Sequence, residues 1–124
     1  MTGRAGGPHA AAVVRPRIRM TQGSEIVLGP GKADLLEAVR EAGSLRGAAA
    51  ALGMSYMRAW HLVNTMNGAF QEPLVELVRG GAHHGGAALT AAGARVLALY
   101  RAMERKSLRA VSAEARALKK LLKS

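Results

Sequence analysis

The chain of 124 residues contains no cysteine. Disulfides and thiolate metal sites are therefore excluded, which fits a reducing compartment. Aromatic residues are scarce: one Trp, one Phe and two Tyr. Acidic residues are few, 8 Asp/Glu against 18 Lys/Arg, so the formal net charge is +10 and the pI about 11.3. Long apolar runs are missing. The longest near the start, residues 10–14, is too short for a signal-peptide core, and nothing approaches a membrane span. A soluble, cytoplasmic protein with no membrane partner is expected. Groupings of catalytic residues are missing too. No Ser/His/Asp set, paired carboxylates or phosphate-cradling G-x-x-x-x-G-K-[ST] motif can be placed. The "GG…GG" loop lacks the Lys and the helix start that a nucleotide loop needs. Adjacent His83 and His84 aim poorly at one ion, and no carboxylate or Cys lies near them in sequence. Neither an enzyme nor a bound metal or cofactor is expected.

What is abundant is positive charge, and it is unevenly spread. Residues 1–29 carry four Arg against one Glu, and residues 90–124 carry nine Lys/Arg against two Glu. Residues 30–89 balance five basic against five acidic side chains. A small basic domain most often meets a polyanion through phosphate neutralisation and counterion release. The bland alternative is a genome rich in Arg, Ala and Gly.

Residues 1–14 read as a flexible arm, dominated by Gly, Pro and Ala without a period. "RPRIRM" alternates basic and apolar residues, "TQGS" is a turn and "EIVL" is a second apolar run, which together predict a hairpin. A first helix follows, with Pro30 at its start, Gly43 at its end and Leu35, Leu36, Val39 and Ala42 as its buried stripe. Ser44 can cap a second helix whose Ala48, Ala49 and Ala51 allow close approach, and Gly53 ends it. Ser55 can cap a third. Residues 74–78 are β-like, a Gly-rich stretch turns into a last short strand, and Thr90 can cap a long helix from about Ala91 to the end. The expected fold is mainly α with small β: a winged helix-turn-helix over residues 15–90, and a C-terminal dimerisation helix over 91–124.

The third helix, "YMRAWHLVNTMN", holds Tyr56 and Trp60, two of the four aromatic residues. Ala59, Val63, Met66 and Phe70 are spaced 4, 3 and 4, a core stripe. Met57, Arg58, His61, Asn64 and Thr65 fall opposite, with Tyr56 and Trp60 on a shoulder. In a helix-turn-helix that outer face enters the major groove, where Arg can read guanine, Asn can pair with adenine, and Thr or Tyr can hold phosphates. The candidate DNA-binding set is Arg46, Ser55, Tyr56, Met57, Arg58, Trp60, His61, Asn64, Thr65, and His83 and His84 at the wing tip. A merely solvated polar face is the alternative, and Trp60 reads more as a half-buried packing residue than as a base-stacking one.

The combination "GSL…AAAALGMSY…AW…MN" with "GG…GGA.LT..G" resembles the N-terminal winged-helix domain of ModE-type regulators, related in this domain to LysR-type regulators, over about residues 17–103. The resemblance implies a homodimer that binds double-stranded DNA near molybdate-transport or molybdoenzyme genes, with the third helix in the major groove and the wing alongside. Ser55, Tyr56, Arg58, Ala59, Trp60 and Asn67 keep the pattern, as do Gly80, Gly81, Gly85, Gly86, Leu89 and Thr90. Position 57, often basic in the family, is Met57, and Ala82, His83 and His84 replace a wing tip of Gly with a Lys. Such regulators continue into small oxyanion-binding domains. The chain is expected either to be a one-domain member, its signal coming from a separate partner, or to be a fragment. The expected function is a sequence-specific transcriptional regulator without its own ligand domain. Alternatives are an architectural, nucleoid-like DNA-binding protein and a winged-helix protein-interaction module. In the last helix Val96, Leu97, Tyr100 and Met103 form one stripe, spaced for packing on the winged-helix core or on a partner, and Leu108, Val111, Ala115, Leu118 and Leu122 follow 3-4-3-4, a heptad seam for a second copy. The alternative is that this tail folds back on its own domain or frays beyond Met103. Arg101, Arg105, Lys106, Arg109, Arg116, Lys119 and Lys120 are expected to point outward.

Overall fold

The computed structural model describes residues 11–78 and 86–123. The order is β1 (Met20–Gln22), β2 (Glu25–Leu28), α1 (Pro30–Ala42), α2 (Leu45–Ala51), α3 (Tyr56–Ala69), β3 (Val75–Val78), β4 (Gly86–Leu89), α4 (Ala91–Ala110) and α5 (Ser112–Lys120). The two strand pairs, β1–β2 and β3–β4, are both antiparallel. The winged helix-turn-helix expected from the sequence is therefore present.

Local chemistry sets the boundaries. Pro30 opens α1, and Gly43 closes it at φ 71°, a left-handed conformation that costs glycine little, with its N–H donating to the Val39 carbonyl. Ser44, Ser55 and Thr90 each accept a bond from a backbone N–H three residues on, at 2.9, 3.1 and 2.9 Å. Each cap contributes about 0.5–2 kcal/mol relative to alanine. The turn between α2 and α3 runs through Gly53 at φ 68°.

One apolar cluster joins these pieces. Leu35, Leu36 and Val39 of α1, Leu45, Ala48 and Ala49 of α2, and Ala59, Val63 and Met66 of α3 are all buried. Leu74, Val75, Ala87, Leu97 and Tyr100 close it from the wing and α4. Burying a side chain of the Leu class contributes roughly 1.5–3 kcal/mol. At Gly93 a Cβ would collide with the Leu74 carbonyl, so the lack of a side chain is what lets α4 lie against the wing base.

Several expectations are corrected. Strand β1 begins only at Met20, so residues 15–19 lie outside the ladder, and the turn is the shorter Gly23–Ser24. Ala42 and Ala51 are exposed, while Ala33 and Ala38 are buried instead. Phe70 sits at the α3 C-cap, half-buried, because the chain leaves the helix there for Pro73. The last helix is not continuous. It breaks at Val111 (φ −104°, ψ 11°), just after Ser107 turns its hydroxyl back to the Glu104 carbonyl at 3.0 Å, a bond that bends helices. Arg101 does not point outward. It reaches α1, donating to Asp34 at 2.8 Å and to Glu37 at 2.7 Å, and to Glu104 at 3.0 Å on its own helix. Partial burial works against its charge, but these hydrogen bonds hold the guanidinium pKa above its ordinary value.

Candidate nucleic-acid interface

Helix α3 is two-sided. Its inner side, Ala59, Val63 and Met66, is at most 5% exposed. Its outer side presents Met57, Arg58, His61 and Asn64, all exposed, with Thr65 half-exposed beside them. The buried side fixes the rotation of the helix, so the outer residues share one surface because the inner ones are locked.

The start of α3 is the most elaborated part. The Ser55 hydroxyl oxygen accepts from the Arg58 N–H at 3.1 Å, which leaves its own proton free to donate outward. The helix N-terminus adds a partial positive charge there. Arg46, from α2, lies over the Tyr56 ring at 4.9 Å from its centroid. That contact ties the exposed faces of α2 and α3 together and holds a guanidinium at the helix entrance; an exposed pair of this kind contributes about 0.5–1 kcal/mol. Trp60 is half-buried against the core, and its ring meets His61 edge-on, 5.6 Å apart at 77°. The packing reading of Trp60 thus describes its surroundings. The Thr65 hydroxyl donates its single proton to the His61 carbonyl at 2.9 Å, so it has none left for a phosphate in this arrangement. His83 and His84 lie outside the described residues.

Asn67 has a part that the sequence did not reveal. Its side-chain oxygen accepts from the Leu74 and Val75 N–H groups at 2.8 and 3.2 Å, and its NH₂ donates to the Val75 carbonyl at 3.0 Å. A strand start is thereby clamped to the recognition helix. The Ala87 N–H donates to the Gly43 carbonyl at 2.9 Å, and the Thr90 hydroxyl donates to the Pro73 carbonyl at 2.6 Å. The wing base is held from three sides. In the sequence Asn67 stands out as a position that keeps the ModE-type pattern, with no role attached to it.

Tyr100 packs as its place in the apolar stripe of the last helix predicts, but the sequence did not reveal the partner of its hydroxyl. Tyr100 is 1% exposed, and its hydroxyl donates to the Ile18 carbonyl at 2.7 Å, fastening the segment ahead of β1 to α4. Burial pushes its phenol pKa up, helped by Glu104 and opposed by Arg101. At Lys32, burial pulls the ammonium down, with Glu25 opposing, and its Nζ donates to the Ile26 carbonyl.

No helix among the described residues is long and apolar enough to cross a membrane. Residues 32–94 match the family model of the bacterial regulatory helix-turn-helix protein, lysR family. The chain is 47% identical over 70 residues to the molybdenum transport protein ModE of Azotobacter vinelandii, covering 56% of this chain and 26% of that one. It is 39% identical over 71 residues to the DNA-binding transcriptional dual regulator ModE of Escherichia coli K12, covering 57% and 27%. The chain thus spans about a quarter of the length of these relatives. A crystal structure of a CbnR_DBD–DNA complex superimposes with a TM-score of 0.56 at 26% identity, covering 71% of this chain and 95% of that one. Fold, capped helix pair and family match agree: the chain belongs to the lysR family of bacterial regulatory helix-turn-helix proteins.

Proposed function

We propose that the chain is a sequence-specific transcriptional regulator that binds double-stranded DNA as a homodimer and serves molybdate-transport or molybdoenzyme genes. The observation that carries the DNA reading is the two-sided α3, with Arg58, His61 and Asn64 exposed opposite a sealed core face and Ser55 and Arg46 at its entrance. A helix of this kind enters the major groove, where Arg donates two bonds to guanine and Asn pairs with adenine. The DNA-bound neighbour of the same fold and the named regulators among the relatives support it. The molybdenum link rests on the relatives' names alone. On this reading the chain works in the cytoplasm, with the DNA, and its role is regulatory rather than catalytic. The exposed apolar residues of the tail support the homodimer, and twofold symmetry would set two recognition helices about 34 Å apart or a multiple of it.

Selection from a random duplex library tests the function. The wild-type chain should enrich one motif and prefer it over bulk DNA by at least about 10³-fold. Binding without enrichment would make the protein architectural, and no binding at moderate salt would make it a protein-interaction module. Arg58→Ala should cost about 1–3 kcal/mol on the enriched motif and relax preference at one base pair. An equal loss on motif and bulk DNA would instead make Arg58 a phosphate contact.

A further inference from the structure

We infer that the segment ahead of β1 is a second contact surface for the DNA phosphate backbone, carried by Arg17 and Arg19. The inference rests on α3 being the DNA-reading helix. Three observations combine. Ile18, between the two arginines, is half-buried against the core, and its carbonyl accepts the bond from the buried Tyr100 hydroxyl at 2.7 Å. In extended chain, residues i and i+2 fall on the same side. Arg17 and Arg19 are accordingly both exposed, and both line one groove with Lys32 of α1 and with Arg58 and Thr65 of α3. Four cations in that lining face one carboxylate, Glu25.

The charges are also uncommitted. Neither Arg17 nor Arg19 makes a side-chain hydrogen bond or ion pair among the described residues, whereas Arg101 is engaged by three carboxylates. Arg15, two residues earlier, lies in a neighbouring groove with Asp34 and Glu104; Arg17 stands on the border and lines both grooves, while Arg19 lines only the one beside α3. The shared groove runs along the flank of α3 past Met54, Arg58 and Thr65. When such a helix sits in the major groove, its flank faces the strand that borders that groove. Phosphates are what the flank meets there, and a guanidinium fork suits them. The Tyr100 bond orders the segment before binding, so less entropy is lost on contact.

The test measures affinity against salt for two duplexes: the motif enriched by the wild-type chain, and mixed-sequence DNA. Arg17→Ala with Arg19→Ala should weaken binding by a similar factor on both duplexes, about tenfold or more at low salt. The slope of log affinity against log salt should fall by about 1.8. Each single alanine variant should lower the slope by about half as much, and Arg17→Lys with Arg19→Lys should keep it, since the charge remains. Tyr100→Phe keeps the ring but releases the segment, and should lose affinity with a smaller change in slope. An unchanged affinity and slope in the double alanine variant, its helicity intact by circular dichroism, would overturn the inference. So would a loss confined to the enriched motif, because that is base reading. If the alanine pair fails to fold, the single variants decide by the same slopes. Failure of the α3 reading shows separately, as an Arg58→Ala chain that binds both duplexes like wild type.

Discussion

The two halves of the C-terminal region are built from similar residues and meet different surroundings. In the first half of α4 one apolar stripe reaches the core: Leu97 and Tyr100 are 2% and 1% exposed, and Gly93 abuts Leu74. Farther along, Leu108, Val111, Leu118, Leu121 and Leu122 lie between 39% and 81% exposed, and α5 buries no residue. Met103, at 42% exposed, stands at the border, although it shares the helical spacing of Leu97 and Tyr100. Arg101 marks the same border, as its carboxylate partners Asp34 and Glu37 belong to α1. Past Glu104 no side chain of the described tail bonds to another element. An apolar stripe at helical spacing says that something covers it, not what covers it.

The largest effect expected from this contrast is on the inner half. Leu97→Ala removes a fully buried side chain packed among α1, the wing and α4, and should destabilise the fold by about 2–5 kcal/mol in urea denaturation. A cost below about 1 kcal/mol would mean that the α4 docking is soft, and the distinction between the two halves would collapse.

A smaller effect is expected at the joint between recognition helix and wing. Asn67→Ala leaves the Leu74 and Val75 N–H groups and the Val75 carbonyl without their partner. Unsatisfied buried groups cost about 1–3 kcal/mol in total where the strand can partly relax. The distinguishing readout is hydrogen exchange: the amides of β3 should exchange faster than those of α1. Asn67→Asp, which keeps the acceptor and loses the donor, should fall between alanine and wild type. Unchanged exchange at β3 after Asn67→Ala would show that the Gly43 and Thr90 bonds hold the wing alone.

Much of this fold is legible in the chain because its boundaries depend on local chemistry. As caps and turns, Pro30, Gly43, Ser44, Gly53, Ser55 and Thr90 act on backbone within four residues of themselves, so these boundaries stand where sequence reasoning puts them; only the further Thr90 bond to Pro73 is long-range. The two faces of α3 are legible for the same reason, since a period of about 3.6 needs no partner to be recognised. What was not legible depends on distant pairs. Asn67 finds its use 7 and 8 residues away, Arg101 finds Asp34 and Glu37 across 67 and 64 residues, and Tyr100 reaches Ile18 across 82. A solvated arginine and an arginine caught by two carboxylates look the same in a one-dimensional pattern. The break at Val111 escaped because Ser107 and a single β-branched residue weaken a helix only slightly, and a continuous stripe masks it.

The smallest effect on the single chain should come from the outer half, and the contrast stands or falls on it. Leu118 is 64% exposed on α5, so Leu118→Ala should change the stability of the monomer by no more than about 0.5 kcal/mol. The same residue should matter once two copies meet. Leu118→Asp with Leu122→Asp puts charge on an apolar seam while leaving the core untouched, and sedimentation should then shift from dimer toward monomer. The basic side chains Arg105, Lys106, Arg109, Arg116, Lys119 and Lys120 are all exposed, and among the described residues none of them forms an ion pair. In a dimer they must splay outward, because like charges facing across the seam would repel. Removing residues 107–124 should weaken dimerisation and binding to the enriched motif together, with urea stability of the remaining monomer close to that of the full chain. If the shortened chain stays dimeric and binds as before, the tail is not the dimer element. The twofold contact would then have to lie in the β1–β2 hairpin, α1 or the part of α4 ahead of residue 107, where the exposed Leu99 and Met103 offer apolar surface.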